Sequence, residues 1–154
     1  MTTGRILIVD DDEGIRTTLS AALKTAGYLA DTASSGKEAI EKSNSNFYNL
    51  VIIDIRLPDM DGTELLTATK ERIPKTVKII LTGYPSLQNA VEAVNKGADG
   101  YIIKPAQPEE LLKMVAEHLR KQDEAKQYNE QKIREYVETR VDELNNKDDD
   151  LDVH

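Results

Sequence analysis

Val51-Ile52-Ile53-Asp54 sets three β-branched residues directly before a carboxylate, the pattern of a buried strand that delivers an acid to a sheet edge. Three other stretches repeat it. Ile6-Leu7-Ile8-Val9 runs into Asp10-Asp11-Asp12, Val77-Lys78-Ile79-Ile80-Leu81 into Thr82-Gly83, and Tyr101-Ile102-Ile103 into Lys104-Pro105. Short apolar strands of this kind suit the centre of a parallel sheet covered on both faces. The carboxyl ends of such strands form the ligand crevice of an open α/β sheet. Asp10, Asp11, Asp54, Thr82 and Lys104 are therefore expected to converge there. Clustered carboxylates repel one another unless a hard cation lies among them, and an all-oxygen donor set suits magnesium.

Helical spacing fills the intervals. Ile15, Leu19, Ala22, Leu23 and Ala26 recur at three- and four-residue steps, predicting a helix over 13–26 that Gly27 ends. A weaker strand is expected over 28–33, and helices over 36–46, 63–72 and 86–96, the last closed by Gly97. Pro108-Glu109-Glu110 places proline and acids in a first helical turn, where the helix dipole favours them. Leu111, Leu112, Val115 and Leu119 supply the buried stripe of that helix. Strands and helices in strict alternation, joined by right-handed crossovers, give a flavodoxin-like doubly wound (βα)5 fold with a five-stranded parallel sheet.

The 154 residues suffice for one domain plus an appendage. A hydrophobic share of 39% and a charged share of 31% suit a soluble globular chain. There is no cysteine, which removes disulfides and thiolate metal sites. No apolar run nears the ~20 residues that cross a bilayer, and the start MTTGRIL has no signal-peptide core, so the cytoplasm is the expected compartment. A net charge of -8 argues against binding the nucleic-acid backbone.

Composition changes near residue 121, where a charged helical tail, 122–154, is expected to follow the domain of 1–121. The tail holds eleven acidic residues against five basic. Ile133, Val137, Val141 and Leu144 form one helical stripe, and Arg134 with Glu138 an i,i+4 pair. A helix to about residue 145 is predicted, with 146–154 frayed. The tail reads as a solvated helix, a connector or a dimerising coiled coil.

Asp10-Asp11, Asp54, Thr82 and Lys104, with VDDD, DIRLPDMDG, LTGY and GYIIKP around them, closely resemble the receiver domains of two-component response regulators over residues 4–121. The resemblance implies that Asp54 accepts a phosphoryl group from a sensor histidine kinase. It implies magnesium held by Asp10, Asp11, Asp54 and the Arg56 backbone carbonyl, with Lys104 neutralising charge. Thr82 and Tyr101 take the place of the family's switch pair, feeding a readout face of 86–96, 100–103 and the last helix. It also implies a cis peptide before Pro105. Arg56 and Tyr84, each two residues past a site residue, are bulky enough to exclude water, so slow self-dephosphorylation is expected.

Plainer readings stand beside these. Asp12 and Glu13 are expected to cap and begin the first helix, Asp61 to cap the helix that Gly62 opens, and Gly62 and Gly83 to sit at turns needing backbone freedom. Asp59-Met60-Asp61-Gly62 faintly suggests a calcium loop, but Leu57 and Ala68 then fall at the end ligand positions. His118 and His154 are expected to face solvent, and Tyr101 is alternatively a static core aromatic. Two other functions stay open. A haloacid-dehalogenase-type phosphatase also uses a strand-end aspartate, though Gly14 breaks its signature; a pseudo-receiver would bind partners without phosphorylation.

Overall fold

The computed structural model describes residues 4–69 and 74–152, with side chains as far as Lys147. Ten elements alternate: β1 (Arg5–Val9), α1 (Glu13–Thr25), β2 (Leu29–Ala33), α2 (Gly36–Ser45), β3 (Leu50–Asp54), α3 (Gly62–Ala68), β4 (Val77–Thr82), α4 (Leu87–Asn95), β5 (Gly100–Ile103) and α5 (Pro108–Asp152). All strand pairs are parallel, in the order β2-β1-β3-β4-β5. This is the expected doubly wound sheet, and its winding reverses between β1 and β3.

Because the pleat sends successive side chains to opposite faces, the mainly apolar central strands feed two separate layers. Ile6, Ile8, Leu50, Ile52, Ile79 and Leu81 pack with Leu19 and Leu23 of α1 and Leu111, Val115 and Leu119 of α5. Leu7, Val9, Val51, Ile53 and Ile80 pack with Ala39, Leu65, Leu66 and Ala93 of α2, α3 and α4. Each fully buried Leu, Ile or Val stabilises the fold by roughly 1.5–3 kcal/mol.

Side-chain caps start the helices. Asp12 accepts from Ile15 N, Ser35 from Glu38 N, Asp61 from Thr63 N and Ser86 from Asn89 N, each satisfying an otherwise orphaned donor. Gly27 and Gly97, at φ of 99° and 100°, follow α1 and α4 in the left-handed conformation that glycine adopts without penalty.

Several expectations need correction. Neither Gly62 nor Gly83 has a positive φ. Gly62 is required for space instead, because a Cβ there would sit 1.9 Å from the Asp54 carbonyl oxygen. A Cβ on Gly83 would come no closer than 3.7 Å to Lys104, so nothing demands glycine at 83. α3 stops at Ala68, with Thr69 extended at φ -90°, ψ 150°; a threonine in its last turn and another at its C-cap weaken the helix end, and residues 70–72 lie outside those described. His118 is half-buried, its Nε2 3.6 Å from where a Cβ on Gly100 would stand. α5 continues to Asp152 rather than fraying from 146, as no glycine or proline interrupts its ladder. Residues 153–154, with His154, are outside the described range. The Lys104–Pro105 peptide is cis, as expected.

The chain divides into a compact unit ending at Arg120 and a second unit from Lys121. Within the second, Arg140 pairs with Glu143 at 3.2 Å, whereas no such pair joins Arg134 and Glu138 among the described residues. Arg preceding Glu by four is the weaker orientation on a helix.

A polar clasp closes the amino end of the sheet. Arg5 donates to Asp31 Oδ2 through Nε and Nη2 at 3.0 and 2.7 Å, and Tyr48 donates to the same oxygen at 2.7 Å. Burial raises the Asp31 pKa, but the bonds from Tyr48 and Arg5 outweigh it and hold the carboxyl below 3.8. Burial and the bond to Asp31 push Tyr48 up to about 12. A depressed carboxyl stabilises the fold above its unfolded pKa, and that contribution is lost as pH falls through the folded value.

Asp31→Asn is therefore expected to lower the thermal midpoint at neutral pH, with the gap to wild type closing below pH 3.8; melting curves across that range test this, and a gap that persists in acid contradicts it. Gly62→Ala is expected to destabilise by roughly 3 kcal/mol, since the clash is with backbone; a denaturant midpoint equal to wild type would show that the loop yields freely.

Candidate functional site

Strand register builds the site. Val9 lies opposite Ile53, Asp54 opposite Leu81 and Thr82 opposite Ile103, so Asp10 and Lys104, each the next residue along, come level with this row. Asp10 is 1% exposed, Asp54 6% and Thr82 0%, while Asp11 is exposed. Carboxylate oxygens of Asp10, Asp11 and Asp54 lie within 4.8 Å of one another. Lys104 Nζ stands 2.8 Å from Asp10 Oδ2 and 3.3 Å from Asp54 Oδ2.

Backbone contacts fix Asp10. Its N–H donates to the Ala33 carbonyl, its Oδ1 accepts from Asp12 N at 2.9 Å, and its carbonyl accepts from Arg16 Nη1 at 2.8 Å. Oδ2 is buried and accepts no well-directed hydrogen bond, meeting only the lysine charge. Asp54 Oδ1 has only a long contact from Arg56 N, at 3.4 Å. Burial raises the Asp54 pKa, the Asp10 charge raises it further, and Lys104 offsets only part. Burial alone would depress Lys104, but Asp10 and then Asp54 reverse this and lift it above 10.5.

The lysine is thus charged, and three acids face one ammonium. Two unit charges ~4 Å apart interact by about 4 kcal/mol at an effective dielectric of ~20, so the surplus negative charge is a substantial strain. An all-oxygen donor set with an underbonded buried carboxylate oxygen fits a hard divalent cation such as magnesium. It is the sole cluster of three or more potential metal ligands among the described residues.

Around this centre, Thr82 Oγ1 accepts from Tyr84 N at 3.0 Å. Tyr101 is half-buried against the layer formed with α2, α3 and α4, its hydroxyl buried without a partner. The Arg56 guanidinium lies 3.8 Å from the centroid of the Tyr84 ring, joining the loops that follow β3 and β4. Beside Lys104 a groove opens between Gly14, Ile15, Thr18 and Ala106. Leu87, Val91 and Val94 of α4 and Ile103 of β5 are exposed at 83%, 49%, 65% and 56%.

Sequence reasoning missed two residues. Arg16 pins the Asp10 carbonyl, and Asp59 reaches across to α2, accepting from Gly36 N at 2.8 Å and Lys37 N at 2.9 Å. These two amides hold the Asp59 carboxyl below its usual range. Only the helical step from Asp12 to Arg16 hinted at the first, and nothing local hinted at the second. With Asp59 capping α2 and Asp61 capping α3, both carboxylates of the suspected calcium loop are taken by backbone.

Comparison with known proteins agrees with this geometry. The family model for the response regulator receiver domain matches residues 6–116. The chain is 40% identical over 114 residues to the transcriptional regulatory protein ZraR of Klebsiella oxytoca, covering 74% of this chain and 26% of ZraR. It is 36% identical over 142 residues to the transcriptional regulatory protein SrrA of Staphylococcus aureus, covering 92% and 58%. The chain therefore spans less than two thirds of either relative, and 142 matched residues against 120 in the first unit leave at least 22 in the tail. The crystal structure of a CheY-like receiver from Methanospirillum hungatei superposes with a TM-score of 0.76 at 44% identity, covering 80% of this chain and 99% of that one. No helix of the described residues is long and apolar enough to cross a membrane. The comparisons lend no support to the haloacid-dehalogenase or pseudo-receiver alternatives, and the chain belongs to the response regulator receiver domain family.

Proposed function

We propose that this chain is a phosphoryl-accepting switch whose Asp54 takes its phosphoryl group from the phosphohistidine of a sensor histidine kinase. The observation that carries the reading is the buried Asp54 carboxylate, underbonded on one oxygen and facing an ammonium at 3.3 Å. An Asp54 oxygen attacks phosphorus as the P–N bond of a phosphohistidine protonated on its other ring nitrogen breaks, leaving an acyl phosphate and a neutral imidazole. The acceptor passes from roughly -1 to -2, and positioning with charge neutralisation is most of the catalysis such a transfer needs. Magnesium, held by Asp10, Asp11, Asp54 and the Arg56 carbonyl, would supply the rest of the positive charge. Lys104 keeps its proton and pairs with the new phosphoryl oxygens.

Thr82 then donates a hydrogen bond from its hydroxyl to a phosphoryl oxygen, the bond from Tyr84 N to Thr82 Oγ1 being reorganised, and Tyr101 responds behind it. A local charge change biasing two conformers is the usual logic of such switches. The groove at Gly14, Ile15 and Thr18 suits kinase docking, and the apolar face of Leu87, Val91, Val94 and Ile103 suits readout by a downstream protein. In this reading residues 1–121 are the receiver and 122–154 a helical tail. The chain acts in the cytoplasm, turns over no diffusible substrate and contributes no DNA contact itself.

Incubation with acetyl phosphate and magnesium is expected to add one phosphoryl group by intact mass, abolished by Asp54→Asn and by EDTA; labelling that survives Asp54→Asn would move the acceptor elsewhere. In this reading the Arg56–Tyr84 stack roofs the site, so phospho-Asp54 should persist well beyond seconds. Arg56→Ala and Tyr84→Ala should each shorten its half-life about two- to fivefold, the scale of an exposed cation–π contact, and the double variant no more than the stronger single. A wild-type half-life of seconds would refute the roof.

A further inference from the structure

One cation stands where electrostatics alone would disfavour it. Arg16 is half-buried at the end of the first turn of α1, near the positive end of the helix dipole, which opposes cations. It also lies against Asp10 of the acidic cluster, where its charge repels any cation held there. A residue that bears both costs contributes something other than its charge.

Its contacts indicate what that is. Helical side chains lean toward the amino end of their helix, so Arg16 reaches back over the turn before α1 and donates from Nη1 to the Asp10 carbonyl at 2.8 Å. Its own N–H bonds the Asp12 carbonyl at 3.1 Å. The Asp10 N–H is tied to the Ala33 carbonyl, and Oδ1 accepts from Asp12 N. Backbone N, carbonyl O and Oδ1 of Asp10 are thus all engaged, and Oδ2 is left facing Lys104 Nζ, 2.8 Å away. The guanidinium bond also fixes the plane of the peptide that joins Asp10 to Asp11. Asp11 is exposed, so the placement of its carboxylate depends on that peptide.

We propose that Arg16 is a positioning residue for magnesium, holding the Asp10–Asp11 peptide so that both carboxylates face Asp54. This rests on the reading of the three aspartates as a magnesium site. Groups that orient metal ligands without touching the metal are worth roughly ten- to a hundredfold in affinity. Here that group is a cation, so removing it has two effects of opposite sign. Loss of a neighbouring positive charge tightens magnesium binding, whereas loss of positioning weakens it.

Calorimetric titration of the unphosphorylated full chain with magnesium chloride, at fixed ionic strength, separates the two. Arg16→Met should bind about tenfold more weakly than wild type. Arg16→Lys keeps the charge but loses the planar fork, and should fall between them. Lys24→Met, which removes a cation from the last turn of α1, should match wild type. Melting temperatures without magnesium report the folding of each variant. Equal or tighter binding by Arg16→Met would overturn the proposal and leave the magnesium site standing, as would a lowered melting temperature with unchanged affinity. A loss shared equally by Lys24→Met would overturn it too. Were Arg16→Met not to fold, Arg16→Lys decides: weaker binding than wild type supports the positioning role, and equal binding overturns it. A wild type that binds no magnesium would overturn both the proposal and the reading beneath it.

Discussion

The Lys104 ammonium, 2.8 Å from Asp10 and 3.3 Å from Asp54, is the contact on which the site depends, because it lets two buried carboxylates share one pocket. Their proximity is not a choice of the side chains. The strand order sets β1 beside β3 although β2 and α2 intervene in sequence, and the register carries Asp10 level with Asp54. Two apolar layers hold that sheet, and their burial far exceeds the about 4 kcal/mol by which two close like charges oppose it. The fold thus holds carboxylates together that would separate in water, and one lysine only half corrects the imbalance.

A polar group left without a partner accompanies that imbalance. Tyr101 Oη is buried with no hydrogen-bond partner, and a group in that condition raises the energy of its conformer by about 1–3 kcal/mol. A resting conformer lifted in this way lies nearer to any alternative that satisfies that group. The proposed switch therefore needs only a modest push, and a second negative charge on Asp54 exceeds it. The contacts around Arg16 and Asp59 act oppositely, fixing the loops after β1 and β3 so that the change is felt at the site and not dissipated in the loops.

The sheet was legible because β3 is buried throughout and β1 and β4 are buried at all but one position, so that each carries a short apolar run, and the candidate site because its residues directly follow those runs. Caps at Asp12 and Asp61 were legible for the same local reason. What stayed hidden depends on which loops the topology brings together. Asp59 bonds amides 22 and 23 residues away, Arg5 and Tyr48 meet on Asp31, and Arg56 finds Tyr84 only across two strand ends. The need for glycine at 62 was visible, but its cause was not: crowding by the Asp54 carbonyl leaves no mark in the local sequence. The ends of α3 and α5 were misjudged because neither carries a glycine or proline as a stop signal.

The tail obeys a different rule from the receiver helices. α1 buries Leu19 and Leu23 against the sheet, so its stability comes from packing and its composition can be permissive. The tail helix draws on local pairs, Gln127 with Asp123, Gln131 with Glu135 and Arg140 with Glu143, each worth a few tenths of a kcal/mol. Pairs of that size do not by themselves secure a helix against its nucleation penalty. Four aliphatic side chains held about half-exposed add little to its stability.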